Sequence, residues 1–371
     1  MKVPLSLYVH FPWCIKKCPY CDFNSHVHEG EVPQHEYIDT LLKDLDQDLG
    51  GYDGREIQSI FMGGGTPSLF EPNAINRLMV GLKAKLNLAL DIEITLEANP
   101  GASDFEKFSG YHAAGINRIS IGVQSFNTIH LNQLGRIHSS HDALNAYQAA
   151  KDAGFNNINL DLMHGLSQQS LDGALGDIKQ AIDLGPTHIS WYQLTIEPNT
   201  QFYNQPPLLP GDDLLWSIYE AGLQVLKDNG YGRYEVSAFS LQDKRSRHNM
   251  NYWLFGDYLG IGAGAHGKIT HQGKVIRTAR TRVPKHYMNK QNVKSVTLSN
   301  EDLILEFLMN ALRLKDGFSL DLFEQRTGLG SEVLKPFLER GLKAKLLEVE
   351  NDQVMPGNRG LQFLNELLLL V

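Results

Sequence analysis

Only three cysteines occur in the 371 residues, Cys14, Cys18 and Cys21, and all fall within one loop's reach. Whatever fold the chain adopts must therefore bring a Cys-x3-Cys-x2-Cys loop to a single point. Three thiolates at this spacing can hold three irons of a [4Fe-4S] cluster and leave the fourth iron without a protein ligand, open to a small molecule. An electron-transfer ferredoxin would close that corner with a fourth cysteine. Zinc is the other reading, with His10 or His26 near enough in sequence to complete its shell. A disulfide framework is not expected, because the count is odd and the long chain shows no secretory signal.

The run Leu5-Ser-Leu-Tyr-Val-His10 alternates as a strand does and leads straight into the cysteine loop. Further strands are predicted at residues 59–62, 92–96, 118–122, 158–162 and 188–194. Helices are predicted at 34–49, 73–86, 103–114, 140–153 and 170–183. Such alternation implies parallel strands joined by right-handed crossovers, with function gathered at their carboxyl ends. Alternation alone does not separate a partial barrel from an open doubly wound sheet. A proline-rich break at 198–210 and a helix over 212–229 close this part of the chain. The expected organisation is a core over 1–230, a connecting segment over 231–299 and a small unit over 300–371. Residues 231–290 read as irregular and carry Lys244, Arg245, Arg247, Arg277, Arg280 and Arg282. The last unit reads as three helices, a hairpin turning at Asn351-Asp352 and a final apolar helix, which is a winged-helix-like order. Its acidic residues outnumber its basic ones, and the whole chain carries a net charge of -8, so a nucleic acid partner is not expected. No apolar run reaches the ~20 residues that span a bilayer. The expectation is a cytoplasmic protein, monomer or homodimer, for which peripheral membrane contact stays compatible.

Two further stretches carry chemistry. Gly63-Gly64-Gly65-Thr66-Pro67 follows the second strand, where bare backbone can read an amino acid's ammonium and carboxylate. Alone it would be a plain tight turn. Glu97, Gln124 and Asp161 stand at or just past successive strand ends, with Arg136 a little later. Singly they read as an ion pair or a loop cap, and together they read as one constellation. The other stretch is His248-Asn-Met-Asn-Tyr252-Trp253, followed by a glycine-rich run to His266. Imidazole ligates haem iron and aromatic faces suit a macrocycle, although a buried histidine with two core aromatics fits equally.

Tyr8-Val-His-Phe-Pro-Trp-Cys14, Cys18-Pro-Tyr-Cys21-Asp-Phe-Asn-Ser25 and much of the chain beyond them resemble the radical S-adenosylmethionine (SAM) proteins related to oxygen-independent coproporphyrinogen III oxidase. The resemblance runs over nearly the whole chain. It implies an α/β fold, a partial (β/α)6 TIM-type barrel with a small C-terminal domain. It also implies a [4Fe-4S] cluster on Cys14, Cys18 and Cys21, fed by an electron donor. SAM would lie against Tyr8, Tyr20, Gly64, Gly65, Thr66, Glu97, Gln124, Arg136 and Asp161, and its cleavage would give methionine and a 5′-deoxyadenosyl radical. The His-Asn-Met-Asn-Tyr-Trp run matches the motif that marks the haem chaperones of this family. That match implies haem ligated by His248 beside Tyr252 and Trp253, with Met250 and His266 behind them. The nearby arginines would pair with propionates, and the haem would pass to acceptor proteins. Coproporphyrinogen decarboxylation is the rival activity, and this chain departs from the oxidase in having Phe23 where a further cysteine stands there.

Overall fold

A computed structural model describes residues 3–28, 30–101, 106–242, 244–290 and 292–371. Six parallel strands follow the predicted order: β1 (Leu5–Phe11), β2 (Ile57–Gly64), β3 (Leu88–Ala98), β4 (Arg118–Gln124), β5 (Ile158–His164) and β6 (His188–Gln193). Between them run α1 (Gln34–Tyr52), α2 (Pro72–Lys85), α3 (Phe108–Ala114), α4 (Thr128–Gln133), α5 (Ser140–Asp152) and α6 (Leu171–Leu184). The helix α7 (Asp212–Asp228) packs on α6. Part of the helix predicted from residue 103 lies outside the described residues, and α3 accounts for its end.

Side chains of a strand alternate between faces, and here the two faces differ in kind. Leu5, Leu7, Val9 and Phe11, Ile60 and Met62, Ile94 and Leu96, and Ile119, Ile121 and Val123 are buried in one continuous apolar core with the helices. Apart from Phe61, most of the intervening positions are polar: Ser6, Tyr8 and His10; Ser59; Glu93, Thr95 and Glu97; Arg118, Ser120 and Gln124; Asn159 and Asp161; His188, Ser190 and Tyr192. They bond one another across strands, as in Ser6 Oγ to Ser59 Oγ (2.8 Å), Asn159 Nδ2 to Ser120 Oγ (2.8 Å) and Tyr192 Oη to Gln124 Oε1 (2.6 Å). The sheet therefore wraps a polar interior inside an apolar shell.

The sheet is larger than six strands. Residues 231–290, read as irregular, instead supply β7 (Gly232–Arg233), β8 (Ala238–Ser240), β9 (Asp257–Ile261), β10 (His266–His271) and β11 (Lys274–Arg280), with the helix α8 (Arg247–Trp253) among them. With β12 (Val293–Thr297) they complete twelve strands in the order β12-β11-β10-β9-β1-β2-β3-β4-β5-β6-β8-β7. Among the described residues the sheet has two ends and does not close. β9 lies parallel to β1 and makes a seventh parallel strand, whereas the other additions are antiparallel.

This extension is fastened to the first crossover by buried charge. Arg280 Nε donates to both oxygens of Asp44 on α1 (2.9 and 3.1 Å), Tyr287 Oη donates to the same carboxylate (2.7 Å), and Asp44 is fully buried. Asp257 at the head of β9, also fully buried, accepts from Arg55 (2.8 Å), Lys268 Nζ (2.9 Å) and both the N–H and hydroxyl of Thr270 (2.8 and 2.9 Å).

Beyond residue 300 the predicted order is present: Asn300–Ala311, Leu320–Thr327 and Lys335–Lys343 are helices, and Leu347–Glu350 pairs antiparallel with Gln353–Pro356. The expected final helix is two short ones, Asn358–Gln362 and Leu364–Leu368. Phe307 sits edge-on to Phe255, Phe318 and Phe323 at centroid distances of 5.6, 4.9 and 5.1 Å. Such pairs add about 0.5–1.5 kcal/mol each beyond burial. No described helix is long and apolar enough to cross a membrane.

Candidate functional site

The cysteine loop leaves the carboxyl end of β1 and folds back over the barrel mouth. Each thiol meets its own polar partner: Thr66 Oγ1 donates to Cys14 Sγ (3.5 Å), an Arg136 guanidinium nitrogen donates to Cys18 Sγ (3.7 Å), and Ser25 Oγ lies 3.8 Å from Cys21 Sγ. Asn99 ties two of these together, donating to Thr66 Oγ1 (2.9 Å) and accepting from Arg136 (2.8 Å). A continuous chain thus runs Cys14–Thr66–Asn99–Arg136–Cys18. Burial pushes the Cys14 and Cys21 thiols up, and at Cys14 the charge of the other two sulfurs adds to this. Sulfurs so placed ionise together only beside a positive centre.

The two histidines that could complete a zinc shell are already engaged. His10 bonds the Asn24 carbonyl through Nε2 (2.9 Å) and Tyr8 Oη through Nδ1 (3.0 Å). Burial takes it down to about 4, so it is neutral at pH 7. His26 bonds Asn24 Oδ1 (3.3 Å) and the backbone of Arg282. His10 has both nitrogens engaged and His26 is tied to Asn24 through Nε2, which favours three thiolates with an open fourth corner over a closed zinc site.

The glycine run is pressed against this loop. Gly64 has φ +112°, and a Cβ there would enter the His10 ring, so both the conformation and the space require glycine. The N–H groups of Gly64, Gly65 and Thr66 are all committed: to Glu97 Oε2 (3.1 Å), the Phe11 carbonyl (2.6 Å) and the Trp13 carbonyl (2.8 Å).

Glu97, Gln124, Arg136 and Asp161 come together around the same mouth, as the sequence suggested. Gln124 is buried at φ +67°, at an irregularity between β4 and β5, the kind of strained position that re-aims a side chain. Asp161 lies mid-strand in β5 rather than at its end, because the strand runs on to His164. It accepts from Ser120 Oγ (2.9 Å) and Asn159 Nδ2 (2.8 Å). Arg136 Nε is buried with no partner among the described residues, an orphan donor that suits a carboxylate acceptor. Tyr20 packs at the rim, its ring 6.4 Å from that of Phe202. Asn99 and Tyr192 complete the mouth and escaped the sequence reading. Asn99 was visible in Leu96-Glu-Ala-Asn-Pro100, two positions beyond Glu97 on the same face.

Burial, reinforced by the charge of Asp161, pushes the Glu97 carboxyl up to about 7 from its ordinary 4.5. An acid raised in the folded state favours its protonated form. Its contribution to stability is full below the ordinary carboxylate range and is lost as pH rises through about 7. Glu97→Gln is therefore expected to raise the Tm of the ligand-free protein more at pH 8 than at pH 5.5. Equal shifts at the two pH values in thermal melts would reject this ionisation.

Of the residues expected to hold haem, His248 and Tyr252 come together and Trp253 lies apart. His248 is 1% exposed on the barrel floor, stacked on Phe61 (5.1 Å), with Nδ1 on Ser59 Oγ (3.0 Å) and Nε2 on Tyr252 Oη (2.9 Å). Burial takes it to about 3, and both nitrogens are engaged. Trp253 instead lies under the Arg313 guanidinium (4.4 Å), beside the C-terminal unit. His266 is exposed at the start of β10. Of the arginines expected near propionates, Arg247 pairs with Asp91, Arg277 with Glu306, and Arg280 with Asp44 and Asp48. Arg245 reaches Asp316 at 3.8 Å.

A three-cysteine loop over an open parallel barrel, backed by a glycine run and a carboxylate, defines a protein of the radical SAM class. Residues 8–178 match the family model of the Radical SAM superfamily, and residues 298–363 match that of the HemN C-terminal domain. The fold resembles coproporphyrinogen III oxidase (HemN) from Escherichia coli at a TM-score of 0.84 and 23% identity, covering 100% of this chain and 90% of that one. Within the class, the chain is 50% identical to the "Heme chaperone HemW" of Escherichia coli strain K12, over 99% of this chain and 98% of the relative. It is 47% identical to the protein of that name from Haemophilus influenzae, over 99% and 97%. The chain belongs to the HemW family.

Proposed function

We propose that the chain is a cytoplasmic haem chaperone of radical SAM type, which carries a [4Fe-4S] cluster, SAM and haem and passes the haem to acceptor proteins. The observation that carries this reading is full-length identity of 50% with a protein named a heme chaperone. Cys14, Cys18 and Cys21 would hold the cluster and leave one corner for SAM. When bound, the pair supplies one-electron cleavage of a carbon–sulfur bond.

The chain's own residues position the ligand and exclude water. Arg136 Nε would meet the SAM carboxylate, which its fork suits. The N–H groups of the glycine run are taken, so the ammonium would be read by carbonyl oxygens there together with Glu97, whose raised pKa a cation would bring down. Gln124, Asp161, Tyr8, Tyr20 and Thr66 would line the remainder. An electron donor would supply the cluster.

The rival is the oxidase, with which the chain shares its fold. The exposed Phe23 stands where the oxidase carries its further cysteine. Anaerobically reconstituted protein given SAM, a reductant and coproporphyrinogen III is expected to form no protoporphyrinogen, assayed by fluorescence after oxidation. Sustained turnover would replace the chaperone reading with the oxidase.

A further inference from the structure

The end of β4 carries one of the mouth residues on a turn the backbone would not take unaided. Ser125 N–H donates to the Val123 carbonyl at 2.9 Å across Gln124, whose φ is +67°. A three-residue turn closed over a positive φ is the rare and strained kind, and a strained residue persists only where its surroundings over-determine it. The side chain of Gln124 is fixed as well. Its amide oxygen accepts from Tyr192 Oη (2.6 Å), which leaves the amide nitrogen as the end available to a ligand.

What holds the turn comes from the helix layer. Asp177 belongs to α6, which packs on β5, and it is buried. Its carboxylate accepts from Ser125 Oγ and from the Phe126 N–H, both at 2.7 Å. The same serine oxygen accepts from the Asn127 N–H (3.0 Å), so the three residues after Gln124 are all tied to one carboxylate, directly or through Ser125. Arg136 secures the other side of the turn by donating to the Gly122 carbonyl at 2.8 Å. Burial pushes the Asp177 carboxyl up to about 6, its bonds to Ser125 and Phe126 act against this, and no cation assists them. Burying a carboxylate without a counterion is unfavourable, and packing alone would place an apolar residue there. Ala174, Ile178 and Ala181 do fill the other buried positions of α6.

We propose that Asp177 is a positioning residue for SAM, acting from outside the barrel by holding the strained turn that points the Gln124 amide into the mouth. The proposal rests on the SAM-binding reading of the site. Asp177 does not touch the ligand. Released from this anchor, the residues after β4 relax to negative φ and the amide turns from the mouth. Affinity then falls in proportion to the fraction of molecules that keep the competent turn.

The test is anaerobic calorimetric titration of SAM into full-length, cluster-loaded protein, with the iron content and Tm of each variant measured alongside. Asp177→Asn keeps the shape but loses the charge and one acceptor, and is expected to bind SAM about tenfold more weakly at an unchanged iron load. Ser125→Ala removes one of the two bonds and should weaken binding severalfold. The discriminating background is Gln124→Gly, in which a positive φ carries no strain and the amide is absent. That variant should bind weakly by itself, and adding Asp177→Asn should change its affinity less than about twofold, because the residue through which Asp177 acts is gone. A residue that only supports the fold would lower affinity equally in both backgrounds, and that result would overturn the proposal. Wild-type affinity in Asp177→Asn or in Gln124→Gly would overturn it too. Should Asp177→Asn not fold, Ser125→Ala decides in its place, severalfold loss supporting the proposal and wild-type affinity overturning it. A wild-type protein that carries its cluster yet takes up no SAM would remove the SAM reading itself, and the proposal with it.

Discussion

Cys18→Ser is expected to abolish assembly of a complete cluster, and Cys14→Ser and Cys21→Ser should do the same. A serine hydroxyl stays protonated near neutral pH where a cysteine can ionise, and the thiolate is the form that binds iron. The chain has no spare thiol to step in. His10 and His26 are held by Asn24 and their other partners, so neither can swing in without breaking a hydrogen bond. Iron and acid-labile sulfide should therefore fall to a small fraction of the wild-type load after anaerobic reconstitution, with loss of the brown chromophore. A full iron load in any one variant would strike that cysteine from the ligand set. Losing the cluster should leave the barrel folded, because the Thr66–Asn99–Arg136 chain and the Gly65 and Thr66 backbone bonds hold the mouth together through atoms other than sulfur.

Asp257→Asn should cost the fold about 3–5 kcal/mol, the usual penalty for stripping one partner from a buried ion pair. Lys268 is 1% exposed and its ammonium reaches Asp257 at 2.9 Å, so the substitution leaves a cation in the interior with no counter-charge. Burial alone would raise the Asp257 carboxyl. The charge of Lys268, with hydrogen bonds from Lys268, Thr270 and Arg55, outweighs burial and holds it below the ordinary range. The stability this carboxylate confers is thus present above the ordinary aspartate pKa and is lost as pH falls below it. Urea denaturation at pH 7 measures the effect, and a loss under about 1 kcal/mol would contradict it. Replacing Asp257 and Lys268 together with leucine and methionine should recover most of the loss, because then no charge is stranded.

The sequence was informative where structure is local. Each of the first six strands is an apolar run of alternating character, and β1 delivers the cysteine loop where the spacing said it would. The mouth residues Glu97 and Gln124 were legible because strand ends in a parallel sheet converge whatever their separation along the chain, whereas Asp161 reads as a strand end and lies mid-strand. Asn99 and Tyr192 were not, since their importance lies in contacts with Thr66, Arg136 and Gln124 that no local pattern records. The extension from 231 onward escaped for a different reason. In β9 the sequence Asp257-Tyr-Leu-Gly-Ile261 looks like a turn, yet a Cβ at Gly260 would collide with the His266 carbonyl, so glycine permits close strand approach there. Lys268 inside a strand likewise reads as exposed until its partner 11 residues earlier is known. The motif from His248 to Trp253 lies on a single helix, but α8 sends its side chains to two places. The ring of His248 enters the barrel floor, and Trp253 turns to Arg313.

The Asp44–Arg280 contact bears on how the protein can be divided. Asp44 belongs to the first crossover helix, yet its charge is balanced by residues more than 230 positions later. A fragment cut off after the sixth strand would keep that carboxylate and lose its counterion, and would bare the edge of β1 where β9 now docks. The parallel barrel is thus no autonomous module. Its amino-terminal half is completed only when residues 257–287 have been synthesised, so excised versions should aggregate or degrade while the intact chain stays whole.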